Sequence, residues 1–290
     1  DLQQKDLIKR QGVKYYFFFF FIASAKAGSP KKINEKGASK AKSKIMVDVI
    51  LGLQWGDEGK GKIVDYFAKD YDLVARFQGG PNAGHTLYVN DKKVVLHQIP
   101  SGVFHKGSIN LIGNGVVLDP VTLKRECDTV ASFGIDLKKN LFIAERAHLI
   151  LPTHRALDKA AELSKGTQKI GSTLKGIGPT YMDKTGRNGL RVGDLLDKNF
   201  TTAYIKLRLK HQRLLDNYNF QEDITAWEEE FFEALEFLDE IQLEFRAKPR
   251  TKFKSNVFMG KSPTTISTRF RSDSNRVCRL YPFIRRHRKR

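Results

Sequence analysis

The chain is 290 residues long with 40% hydrophobic and 29% charged residues, enough apolar content to bury a core and too much for a wholly disordered or collagen-like chain. Its net charge of +19 is unevenly placed: 11 Lys/Arg against 3 Asp/Glu in residues 1–45, and 15 against 1 in 246–290, leave 46–245 at −3. The body is therefore not a basic nucleic-acid-binding face, and two cysteines, Cys127 and Cys278, without Cys-x-x-Cys or Cys/His spacing, exclude a disulfide framework and fit a reducing cytoplasm.

Tyr15 to Ala23 is an apolar run with five consecutive Phe, preceded by Lys5, Lys9, Arg10 and Lys14 and followed by small residues. It has the outline of a secretory signal and falls short of the ~20 apolar residues of a membrane span. Ala25 to Lys44 is rich in Lys, Ser, Ala and Gly, with almost nothing to pack. Residues 1–45 are expected to be a disordered or non-native extension. That reading is preferred to an export signal or a transit segment because Met46 directly precedes the first convincing strand.

Val47–Leu53 is rich in β-branched and aliphatic residues and runs into a Gly-rich turn, after which Ile63–Lys69 has helical apolar spacing. Strand, Gly-rich loop and helix together form a unit that cradles phosphate. Further strands are predicted at Asp72–Phe77, Lys93–Gln98, Ile109–Ile112 and Leu141–Ala144, with a helix at Val121–Phe133. The alternation predicts an α/β domain, a P-loop NTPase-like, largely parallel central sheet flanked by helices. Thr225–Phe245 reads as an amphipathic helix opened by a Thr225/Glu228 capping box, with Trp227, Phe231, Leu235, Leu238 and Ile241 as its core stripe.

Gly56–Lys62 reads GDEGKGK, which meets the G-x-x-x-x-G-K spacing of a P-loop, but Ile63 stands where a Mg²⁺-binding hydroxyl is required. Asp57, a hard-oxygen donor inside the loop, is the candidate replacement, and Lys60 and Lys62 supply neutralising charge. Gln78–Thr86, QGGPNAGHT, is a second Gly-rich loop directly after a predicted strand. It places Asn82, His85 and Thr86 near the same strand ends, and His85 is the candidate proton donor beside Asp57 as base. His97, His105, His148 and His154 have no such setting and read as structural. In a third segment, Ile170–Asp194, the hydroxyls of Ser172 and Thr173 suit a phosphate monoester, with Arg187 and Arg191 as candidate anion clamps.

Together LGLQWGDEGKGKIVD, QGGPNAGHT, LHQIPSG, IGNGVVLDP and IGSTLKGIGPTYMDKTGRNGLRVGDL resemble the adenylosuccinate synthetase family, continuously from about Met46 to Phe245. The resemblance implies a ligase of AMP biosynthesis that joins L-aspartate to IMP with GTP hydrolysis through a 6-phosphoryl-IMP intermediate. It implies Asp57 as base and Mg²⁺ ligand, His85 as acid, Lys60 near the transferred phosphoryl group, and the Gly84 backbone as a second Mg²⁺ ligand. It implies GTP contacts at Gly56, Asp57, Glu58, Gly59, Lys60, Gly61, Lys62, Gly84, His85 and Thr86. IMP contacts follow at Asp57, Lys60, Asn82, Ala83, Gly84, His85, Thr173 and Arg187, the last reaching the neighbouring subunit of a cytoplasmic homodimer.

The family continues with Gly-Ala-Gln-Gly, inosinate, aspartate and guanine segments that have no counterpart here. Ala247–Arg290 is instead biased to Arg, Lys, Ser, Thr and Pro, as a frameshift or mispredicted exon would leave it. Residues 46–245 are thus expected to be an incomplete catalytic domain with its C-terminal half missing, 246–290 a basic tail without order, and ligation weak or absent. Two rival functions remain: a polyanion or nucleic-acid binder acting through the +14 tail, for which no RNA- or DNA-binding motif is present, and another phosphotransferase using the same loop. No membrane or nucleic-acid partner is expected.

Overall fold

The computed structural model describes residues 19–24, 46–52, 59–247 and 278–283, with side-chain surroundings for 48–52 and 59–238. The elements in chain order are β1 (Phe19–Ser24), β2 (Met46–Gly52), α1 (Lys60–Ala68), β3 (Leu73–Gly79), β4 (His85–Val89), β5 (Lys92–Leu96) and β6 (Ile109–Leu118), followed by α2 (Pro120–Ala131), the one-turn α3 (Leu137–Asn140), β7 (Leu141–Ile143) and β8 (His148–Leu149). Helices α4 (Pro152–Leu163), α5 (Ile177–Thr185), α6 (Phe200–Asn217) and α7 (Thr225–Ala247) then lead to β9 (Cys278–Phe283).

The sheet runs β7-β6-β3-β1-β2-β9, with β8 on the far end of β6. β3, β6, β7 and β8 are mutually parallel where they pair, as are β2 and β9. β1 lies between β2 and β3 and is antiparallel to both, with Phe21 opposite Val49 on one side and Ala75 on the other. β2 and β3 therefore point the same way, and the loops that follow them leave from one edge. Within the two ends, where no order was expected, Phe19–Ser24 and Cys278–Phe283 are strands of the sheet; most of the rest of both ends lies outside the described residues. The Phe-rich run has high strand propensity, and compositional bias of the surrounding residues hid it. Pro282 falls in β9, an edge strand, where a missing N–H is tolerated.

Local chemistry sets the boundaries. Asp119 caps α2, accepting from the Val121 N–H at 3.2 Å, with Pro120 pre-set for the first turn. β4 and β5 form a hairpin whose turn residues, Asn90 and Asp91, both have positive φ (48° and 62°), the geometry that favours Asn and Asp in two-residue turns. The main core joins β6, the hairpin, α2 and α7 through Leu96, Ile112, Leu118, Leu123, Phe231 and Leu235. A smaller cluster seats α1 on β2 and β3 through Ile50, Val64, Ala68 and Val74, and a third joins α4 to α6 and α7 through Ala156, Ala160, Leu215 and Trp227. Phe231, Leu235 and Leu238 bear out the α7 stripe; the side chain of Ile241 lies outside the described residues. The capping box does not form. The Glu228 carboxylate accepts from the Tyr204 hydroxyl (2.6 Å) and Arg208 Nε (2.7 Å), tying α7 to α6, and Thr225 donates its hydroxyl to Asp223 at 2.6 Å.

Candidate functional site

α1 begins three residues earlier than its apolar spacing indicates, so Lys60, Gly61 and Lys62 form its first turn instead of a loop. Gly59 stands before it at φ 82°, and its carbonyl accepts from Lys62 N and Ile63 N. Among the described residues no side chain caps the helix and its first turn holds no acidic residue, so the positive end of the helix dipole suits an anion. Lys60 is buried and Lys62 exposed. Gly56, Asp57 and Glu58 lie outside the described residues.

The second Gly-rich loop leaves the C-terminal end of β3 and returns at His85, the first residue of β4. There it meets α1: a methyl group on Gly61 would lie 2.4 Å from His85 Cβ. Gly61 is thus the only residue type that lets the helix start and His85 touch. The buried Arg76 donates from Nη2 to the Gly80 carbonyl at 2.7 Å, holding the loop from below. Burial first, and then the Arg76 charge, pull the His85 imidazole down to about 4, and burial lowers Arg76 to about 10. With these neighbours His85 is neutral at pH 7. Asn82 is half-buried, with an Oδ1 that has no hydrogen-bond partner among the described residues, while Ala83 and Gly84 are exposed and Thr86 is half-buried.

The third segment reaches the same place. Lys175 Nζ donates to the Pro81 carbonyl (3.0 Å), the Tyr181 hydroxyl joins Gly79 N (3.1 Å) to the Gly115 carbonyl (2.9 Å), and Lys184 Nζ binds the Asn114 carbonyl (2.6 Å). α5 therefore lies across the end of β3 and the middle of β6. Here β6 carries a bulge opposite Arg76–Gln78, and Gly115 passes so close to Phe77 that an added Cβ would sit 2.2 Å from its carbonyl oxygen. Thr173 is exposed, but the Ser172 hydroxyl is not offered to a phosphate, because it donates to Asp158 at 2.7 Å. Leu174 and Arg187 adopt left-handed φ of 55° and 60°, strain of the kind that collects at functional sites. Arg187 is exposed just beyond α5.

Among the described residues one group has ligand atoms spaced for a metal, His154, Asp183 and His211. Its hydrogen bonds argue against coordination. Leu151 N–H donates to His154 Nδ1 (3.0 Å), which puts the His154 proton on Nε2, facing Asp183 Oδ2 at 3.1 Å. His211 Nε2 (2.8 Å) and Lys210 Nζ (2.6 Å) complete the carboxylate, and Thr153 lies 2.7 Å from His211 Nδ1. Burial lowers His154 to about 4; for Asp183, burial works upward but is outweighed by His154, His211 and Lys210, so it titrates below the usual carboxylate range. The group is a polar staple joining α4, α5 and α6, in keeping with the structural reading of His154.

A family model described as adenylosuccinate synthetase matches residues 49–254. The chain belongs to the adenylosuccinate synthetase family. It is 59% identical over 199 residues to the adenylosuccinate synthetase of Flavobacterium johnsoniae and 61% identical over 199 residues to that of Christiangramia forsetii, each match taking in 68% of this chain and 47% of the relative. Its fold resembles the fully ligated adenylosuccinate synthetase of Plasmodium falciparum with a TM-score of 0.58 and 34% identity, over 79% of this chain and 50% of that one. The chain thus spans about half the length of the curated relatives it matches.

Of the residues that adenylosuccinate synthetase motifs single out, Gly59, Lys60, Gly61, Asn82, Gly84 and His85 converge on one sheet edge, and Thr173 is joined to them through Lys175. Arg76, Glu126, Asp158, Glu162 and Tyr181 support that edge and carry no sequence signal of their own. Glu126, on α2, accepts from three successive N–H groups, His97 (2.6 Å), Gln98 (3.0 Å) and Ile99 (3.0 Å), fixing the segment on which Gly84 rests through His97.

Proposed function

We propose that this chain carries the inosinate- and phosphate-binding half of a GTP-dependent ligase that joins L-aspartate to IMP, a step of AMP biosynthesis. The observation that carries the reading is the contact of the α1 N-terminus with His85 at the edge where the second and third Gly-rich segments meet. The start of α1, which no side chain caps among the described residues, and Lys60 suit the GTP phosphates. Asn82, with its partnerless Oδ1, and the exposed Thr173 suit IMP. Asp57 takes the purine proton, and the purine oxygen then attacks the γ-phosphorus, whose bond to the bridging β–γ oxygen breaks to release GDP. His85, neutral with only protein charges around it, gains basicity when an anionic phosphoryl group lies beside it and can then act as the acid. Mg²⁺ fits the donor chemistry, since the Asp57 carboxylate and the exposed Gly84 carbonyl are hard oxygen ligands; when bound it supplies charge neutralisation on the phosphates.

Arg187 serves the IMP site of a second copy in a homodimer, a role its exposure beyond α5 permits. The buried, unpaired Cys127 agrees with a reducing cytoplasm, and no helix among the described residues is long and apolar enough to cross a membrane. Equilibrium titration of the full chain with IMP, in the presence of Mg²⁺ and a non-hydrolysable GTP analogue, tests the reading. Saturable IMP binding strengthened by the GTP analogue supports it; binding of ATP with indifference to IMP refutes it in favour of another phosphotransferase.

A further inference from the structure

We propose that Asp158 and Glu162 are positioning residues for the substrate phosphate, holding the Gly171–Gly176 loop in the shape that presents Thr173 beside Asn82. The inference rests on the IMP reading of that site. The two carboxylates are four residues apart on α4 and so share one face of the helix. Asp158 accepts from the Ser172 hydroxyl through Oδ1 (2.7 Å) and from Gly176 N–H through Oδ2 (2.9 Å). Glu162 accepts from Gly171 N–H (2.6 Å) and Ser172 N–H (3.3 Å) through Oε1, and from Lys165 Nζ (2.8 Å) through Oε2. The Lys165 charge and the two N–H groups hold the Glu162 carboxyl down to about 2, so it is ionised throughout the physiological range.

The loop needs this anchorage because its backbone is unusual. Gly171, Leu174 and Gly176 all have positive φ (79°, 55° and 72°), and Leu174 pays a steric penalty there that a flexible loop would relax. With both ends fixed to α4, Thr173 and Leu174 form the exposed crest, and the next residue, Lys175, binds the Pro81 carbonyl adjacent to Asn82. Neither carboxylate is placed to touch a substrate phosphate, which it would repel; each acts through the backbone of the loop. Side chains of α4 thereby connect to the second Gly-rich loop without contacting the ligand.

The test compares IMP with inosine, which lacks only the phosphate, by equilibrium titration of the full chain and of its Asp158→Ala, Glu162→Ala and Glu162→Gln variants. In the unsubstituted chain IMP is expected to bind more tightly than inosine, and the alanine variants are expected to lose roughly tenfold of that preference while binding inosine and the GTP analogue within about twofold of the unsubstituted chain. A merely structural role would weaken all three ligands together and leave the preference intact, which overturns the proposal. Glu162→Gln keeps an acceptor for Gly171 and Ser172, so it should retain most of the preference and serves where an alanine variant fails to fold; a full loss in Glu162→Gln also contradicts the backbone mechanism. If the unsubstituted chain does not prefer IMP to inosine, the IMP reading falls and this proposal with it; if it does and the variants match it, the proposal alone falls.

Discussion

Gly61→Ala puts two rules in opposition. Alanine in a helix is worth up to ~1 kcal/mol over glycine, and Gly61 lies in the first turn of α1 with no positive φ to forbid a side chain. The added Cβ, however, would lie 2.4 Å from His85 Cβ and 3.0 Å from its Cγ, well inside ordinary contact distance. Both partners are anchored, one in a helix packed on the sheet and the other in a hairpin strand, so relief requires a shift of roughly 1 Å at a packed junction, an overpacking cost of about 1–3 kcal/mol. The net expectation is destabilisation by about 1–2 kcal/mol, with weaker IMP and GTP-analogue binding because the helix start and His85 separate. In a His85→Gly background the clash partner is gone, and Gly61→Ala should then be neutral or stabilising, giving a coupling of about 2 kcal/mol in the double-mutant cycle. Denaturant unfolding of the four proteins reads this directly. A Gly61→Ala protein more stable than its parent, or a cycle with no coupling, would refute the contact between α1 and His85.

Other consequences are as specific. Gly115→Ala would drive a methyl group to 2.2 Å from a backbone carbonyl that cannot rotate away; the expected loss is roughly 3 kcal/mol or more, seen as failure to purify a folded chain or as a large drop in unfolding midpoint. Glu126→Ala leaves the His97, Gln98 and Ile99 N–H groups without their shared acceptor and should cost about 3–5 kcal/mol, whereas Glu126→Gln, which keeps one oxygen, should cost less. Stability should also fall on acidification from pH 6.5 to 4. His154 is lowered to about 4 by burial against an ordinary value near 6.5, so the unfolded chain binds the extra proton first, and stability present above pH 6.5 is lost as pH falls through that window. A shift of that size amounts to about 3 kcal/mol for this fully buried ring, and His154→Gln should flatten that part of the pH profile even if it lowers stability throughout.

Much of the candidate site edge was legible because Gly-rich loops sit immediately after apolar strands, a local pattern that needs no tertiary information. The hairpin strand His85–Val89 is less legible, because it begins inside the Gly-rich loop and only its Asn90-Asp91 turn marks it. α4 begins with Pro152 in its first turn and was legible in principle. What the sequence could not reveal is partnership over distance. Glu228 satisfies the spacing of a capping box, yet Tyr204 and Arg208 on another helix take its carboxylate. Asp183 meets His154 and His211 from 29 and 28 residues away, and Asp158 and Glu162 look like the polar face of an amphipathic helix until the loop that folds over them is in place. The placement of β1 between β2 and β3 was likewise out of reach, because strand propensity names a strand without naming its neighbours.

The most direct measurement is a crystal structure of the full chain grown with IMP, Mg²⁺ and a non-hydrolysable GTP analogue. The IMP phosphate should lie within hydrogen-bond distance of Asn82 and Thr173, with the GTP γ-phosphate at the α1 N-terminus beside Lys60 and His85. Nucleotide density elsewhere on the molecule, or none at that edge under saturating ligand, would contradict the assignment of the three converging segments to one nucleotide site.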